Sequence, residues 1–184
     1  MKITKKVVLT GFIAVVFVCG LSIMKIASAQ SDQPSDAQIQ LVQNNCLALK
    51  ITLNQLHASD ALLRVNMGQL YESMAVKLMN GFNGRIENNN LNNISLVSET
   101  KNYNSILDNF RNDYRAYEEQ LSSAINIDCQ NHPVSFYNAI SSARVARDKV
   151  HSDVLQLNQS IASYQSTVGQ FESDYLLSLE GTVR

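Results

Sequence analysis

Along three long stretches of this chain, apolar residues recur at alternating spacings of three and four, and no other feature restricts the fold as much. In the last stretch the stripe runs Phe136, Ile140, Ala143, Val150, Val154, Leu157, Ile161, Tyr164, Val168, Phe171 and Tyr175, interrupted by Arg147. A period near 3.5 residues puts these side chains on one seam of an α-helix, the arrangement by which long helices pack as coiled coils do. The middle stretch carries Leu96, Tyr103, Leu107, Phe110, Tyr114, Tyr117, Leu121 and Ala124. The first carries Ile39, Val42, Cys46, Leu49, Leu53, Leu56, Leu63, Met67, Leu70 and Met74, broken at Asp60. Leu41, Ala48, Leu62 and Val76 widen this first stripe enough to bury against more than one neighbour.

Punctuation sets the boundaries. Pro34 and Pro133 are the only prolines, which leaves the intervening chain free to be helical. Ser35 followed by Gln38 has the form of a capping box, and Pro133 suits the first turn of a helix. Asn80-Gly81 and Asn83-Gly84 tolerate positive φ, so the first helix is expected to stop near residue 80, with residues 81–94 as a loop. The expected fold is all-α: an up-down-up antiparallel bundle of three long helices over about residues 35–80, 95–126 and 133–180. The bundle domain is 35–184, preceded by a short linker at 30–34.

The first 29 residues read as an export segment. Lys2, Lys5 and Lys6 precede an apolar run from Val7 to Met24, and Ala27-Ser28-Ala29 has the small-x-small form of a signal peptidase site. The run is nearly long enough to span a bilayer, so a cleaved signal peptide and an uncleaved membrane anchor are both open. Cys19 would suit lipoprotein processing, but Phe17-Val18 places bulky residues before it. Each reading sends the remaining chain outside the cytoplasm, to be secreted, periplasmic or at the cell surface, with a membrane link only through the N-terminal segment. Four of the 15 basic residues and none of the 16 acidic ones fall in that segment. The remainder carries 11 basic against 16 acidic residues, a net charge near −5, which offers nucleic acid no electrostatic footprint.

Beyond the export segment the thiols are Cys46 and Cys129. A helical hairpin turning within residues 81–94 pairs positions whose numbers total about 175, and these cysteines meet that condition. An oxidising compartment then favours a disulfide between them. Its expected role is structural, because catalytic dithiols are usually close in sequence with a lowered thiol pKa.

The same register brings charge together. The first and third helices should pair positions that differ by about 90, which sets Asp60 within a turn of Arg147. The hairpin rule brings Tyr114 and Arg115 to this level, and His57 and His151 are near it. A polar layer at mid-bundle is expected, with Asp60 accepting from Arg147 and from Tyr114. Its alternative role is a binding site for a small polar ligand. No metal or cofactor is expected, because the bundle ligand pattern Glu-x-x-His does not occur.

No nucleophile elbow, phosphate loop or zinc-ligand spacing is present, so an enzyme is not expected. The leading reading is a structural or protein-contact component of the cell envelope or surface, with an unidentified protein partner or self-association. The alternative is an extracytoplasmic ligand-binding or sensory module centred on Asp60 and Arg147. Phe171, Tyr175, Leu176, Leu177 and Leu179 should project past the end of the first helix. They either fold onto the 81–94 segment or form an apolar patch for a partner.

Overall fold

The computed structural model describes residues 33–182, so the export segment read at residues 1–29 lies outside them. Over the described residues the chain is 90% helical, without a strand, and a disulfide joins Cys46 to Cys129. The elements are α1 (Asp36–Asn44), α2 (Cys46–Ser73), a π-helical stretch (Met74–Met79), α3 (Asn80–Asn88), α4 (Ile94–Asn126) and α5 (Pro133–Thr182). Among the described residues no helix is long and apolar enough to cross a membrane.

Capping chemistry starts α1. The Ser35 hydroxyl accepts from the Gln38 N–H, and the Ser35 N–H donates to Gln38 Oε1 at 2.8 Å, satisfying two otherwise orphaned donors reciprocally. At Asn45 the backbone leaves helical geometry for one residue (φ −114°, ψ 16°). Its side-chain amide donates back to the Leu41 carbonyl at 2.9 Å, and α2 begins with the next residue. From there the helical backbone continues through the π stretch into α3, with right-handed dihedrals at both junctions. A π turn holds more residues than an α turn, so it rotates the face that α3 presents.

Here the structure corrects the expected boundary. The first helical stretch does not stop near residue 80; it runs on to Asn88, and Gly81 and Gly84 lie inside a helix without positive φ. The cause is tertiary. Asn83 is buried, and its Nδ2 donates to Thr100 Oγ1 at 2.8 Å and to the Leu96 carbonyl at 3.3 Å. Its Oδ1 accepts from the Tyr164 hydroxyl at 2.8 Å. Phe82 and Ile86 pack into the core on the same face. These contacts outweigh the weak helix propensity of Asn and Gly, which costs at most about 1 kcal/mol per residue. The stop comes instead at Asn90, whose φ is 55°. Its N–H donates to the Glu87 carbonyl at 2.9 Å and that of Leu91 to the Ile86 carbonyl at 3.1 Å, closing a Schellman motif.

α4 turns an inward residue toward the core at nearly every turn, from Leu96 to Ala124, and packs along α5. The largest cluster joins Tyr71, Met79 and Ile86 to Tyr103, Leu107, Phe110, Leu157 and Tyr164. A second gathers Tyr114, Tyr117, Leu121 and Ala143. A third, around Val42, Cys129 and Phe136, surrounds the disulfide. Cys46 with Cys129, Asp60 with Tyr117 and Tyr71 with Tyr103 meet at numbers totalling 175, 177 and 174. Asp60 with Arg147 and Met79 with Tyr164 meet at differences of 87 and 85.

Candidate functional site

Halfway along α2 the apolar stripe gives way to Asp60, whose side chain is only 13% exposed. A carboxylate in that position must find donors or neutralise. Two reach it. The Tyr117 hydroxyl of α4 donates to Asp60 Oδ2 at 2.6 Å, and Arg147 Nε of α5 donates to the same oxygen at 3.2 Å. The α4 donor is therefore Tyr117 and not Tyr114, one turn earlier. Burial first, and then the bond to Asp60, push the Tyr117 hydroxyl's pKa up, so it stays a neutral donor.

Tyr114 has a different neighbour: the Arg64 guanidinium carbon lies 5.0 Å from its ring centroid, a cation–π contact. Arg115 is exposed and does not line this level. His57 faces Glu118, with Nε2 3.6 Å from the carboxylate, beside the layer and outside its cavity. His151 does line the cavity, from α5.

That cavity is a cleft of about 520 Å³. Its polar edge is Asp60, Arg64, Arg147, Asp148 and His151, and its walls are Leu63, Met67, Tyr71, Phe110, Tyr114, Tyr117, Val150 and Val154. The Tyr71 ring stands edge-on to Phe110 at 5.6 Å, and its buried hydroxyl has no hydrogen-bond partner among the described residues. Clefts of this size with apolar walls and a few polar groups hold small molecules. Among the described residues no group of three His, Cys, Asp or Glu side chains could hold a metal ion.

A second candidate surface is the outer face of α2. Leu47, Ile51, Leu62 and Val65 are 75%, 51%, 66% and 49% exposed. With Asn54, Ala58 and Gln69 they form a line spaced four, three, four, four, three and four residues apart, with no charged residue on it. Leu41, Leu62 and Val76, expected to bury against a further neighbour, are exposed.

The C-terminal end of α5 divides at one position. Phe171 packs edge-on against Phe82 at 6.1 Å, with Leu91 in the same cluster. Tyr175 stacks on Phe171 at 6.3 Å but is 40% exposed, and Leu176, Leu177 and Leu179 are about half exposed or more.

Sequence reasoning missed Asp153. This residue of α5 is 5% exposed, and its Oδ2 has no hydrogen-bond partner among the described residues. Burial, and then the neighbouring Asp113 of α4, push its pKa up to about 6. The available signal is its place three residues after Val150, on the edge of the α5 stripe.

No protein-family model, curated protein or solved structure matches this chain.

Proposed function

We propose that this is an exported, disulfide-stapled bundle whose three long helical stretches run up, down and up, and that it works by protein contact in the cell envelope or at the cell surface. The near-constant totals and differences of the meeting residues support that topology. The contact function is carried by one observation: α2 presents an uncharged heptad line, with Leu47, Ile51, Leu62 and Val65 exposed to solvent. Exposed apolar side chains scattered singly need no explanation, whereas two pairs of them, Leu47 with Ile51 and Leu62 with Val65, on one uncharged line at coiled-coil spacing are what a partner helix covers. The fitting partner is an amphipathic helix with a neutral apolar seam, from a second copy or from another protein.

Replacing Leu62 and Val65 together with Glu tests this reading. Neither side chain belongs to the core, so the thermal midpoint should stay within a few degrees of wild type. On sizing of a gently solubilised envelope fraction, wild type should migrate in an assembly and the variant at monomer size. Wild type at monomer size, or a variant that migrates with wild type, contradicts the proposal.

A second reading has its own observation, the cleft of about 520 Å³ at the Asp60–Arg147 level. On that reading the protein binds or senses a small extracytoplasmic molecule there.

A further inference from the structure

Of the charged groups around the mid-level cleft, Asp60 and Arg147 are engaged with each other, and Asp60 also takes the Tyr117 hydroxyl. Arg64 makes no ion pair among the described residues; its partner is the face of Tyr114. Asp148, at the same edge, makes no ion pair among the described residues either, so an unpaired cation and an unpaired carboxylate both stand at the edge of a cavity walled by Met67, Phe110, Val150 and Val154. The cleft is elongated. Along α2 its lining runs from Asp60 to Tyr71, roughly 16 Å at the helical rise. Beyond it, between the π-helical stretch and α5, lies an apolar hollow of about 230 Å³ bounded by Met74, Leu78, Ile161 and Val168.

From this arrangement, and resting on the ligand-binding reading, we infer that the cleft takes an amphipathic monocarboxylate: an acyl chain of on the order of a dozen carbons. The chain lies against Met67, Phe110 and Val154, and its carboxylate pairs with Arg64. A guanidinium offers parallel donors that match a carboxylate's two oxygens. Arg64 can pair with one carboxylate, and the unpaired, exposed Asp148 at the same cleft disfavours a headgroup of higher negative charge.

The test uses the exported protein with its disulfide intact and titrates 11-(dansylamino)undecanoate, with dodecanoate and dodecanol as competitors. Wild type should bind the probe saturably at one site, and dodecanoate should displace it at least ten times more effectively than dodecanol. Arg64→Gln should weaken dodecanoate about tenfold or more and leave dodecanol within twofold, while Asp148→Asn should tighten dodecanoate. Met67→Trp, and independently Val154→Phe, should fill the cleft and remove probe binding with the helical circular dichroism unchanged.

Three results separate the ways of failing. Equal displacement by acid and alcohol, abolished by Met67→Trp or Val154→Phe, overturns the carboxylate assignment and leaves the cleft as a ligand site. Probe binding that survives both filling substitutions overturns the cleft as the site and with it the ligand-binding reading. Absence of saturable binding in wild type overturns the inferred ligand, and retention of a different molecule by the wild-type cleft alone would then preserve the broader reading.

Discussion

α2 and α4 are helices of similar length, 28 and 33 residues, yet they use their surfaces differently. α4 buries nine residues, about one per turn, and its only large exposed apolar side chain is Ile94, at its first position. α2 buries one residue fully, Tyr71, while six of its large apolar side chains remain exposed: Leu47, Ile51, Leu62, Leu63, Val65 and Leu70. Intrinsic helix propensity does not distinguish them. The difference lies in neighbours: α4 packs between α5 and the first helical stretch, whereas α2 has apolar side chains on two opposite sides and a neighbour on one. Among the described residues nothing covers the outer line of Leu47, Ile51, Leu62 and Val65. On the proposed protein-contact function, α4 and α5 hold the fold and α2 is the helix that meets a partner.

The disulfide offers the strongest way to strain this contrast, since it ties the start of α2 to Cys129, beside the strong pair. Replacing both cysteines with Ser should cost up to about 4–5 kcal/mol on the chain-entropy treatment of so long a loop. Amide hydrogen exchange should then rise more over residues 36–73 than over 94–182. A uniform rise would mean that α2 is as well held as α4. Core truncation gives the next largest effect. Leu107→Ala should destabilise by about 3 kcal/mol in urea denaturation, whereas Leu62→Ala should stay within about 0.5 kcal/mol of wild type.

The packed side has a weak point of its own, which pH exposes. Asp153 holds its proton to about pH 6 in the fold and to about pH 4 when unfolded. Across that window the unfolded chain has lost a proton that the fold retains, so this group makes stability fall as pH rises from about 4 to 6. Asp153→Asn should remove that slope and raise stability at pH 7 by on the order of 2–3 kcal/mol, read from denaturation midpoints at pH 4.5 and 7. An unchanged slope would show that Asp153 is hydrated. The smallest effects belong to the mid-level bonds. Because Arg147 is half exposed, its coupling to Asp60 in a double-mutant cycle should be below about 1 kcal/mol. The Asp60–Tyr117 coupling should exceed it, at about 1.5–3 kcal/mol for a charge-assisted bond with a buried partner.

Much of the helical organisation is legible in the sequence because it follows from period and caps. The Ser35–Gln38 box starts α1 and Pro133 is the first residue of α5. Cys46 and Cys129, whose numbers total 175, are bonded, and Asp60 meets Arg147 at a difference of 87, near the expected 90. What escapes sequence reading depends on tertiary detail. Tyr114 and Tyr117 share one face of α4, and only the rotation of that helix against α2 decides that Tyr117 reaches Asp60. Asn83 reads as a loop residue until Thr100, Leu96 and Tyr164 supply its partners. The π stretch at Met74–Met79 has no composition of its own. The spacing that widened the first stripe was visible in Leu41, Leu62 and Val76, but not that this width would be left facing solvent.

The central claim, that the outer face of α2 is covered by a partner where the protein works, is tested most directly by placing a photo-crosslinking amino acid at Leu62 in living cells. Gln120, exposed on α4, serves as the control position. One discrete crosslinked species is expected from position 62, at a mass that separates a second copy from a different protein, and none from position 120. No adduct at 62, or the same adducts from both positions, would contradict it.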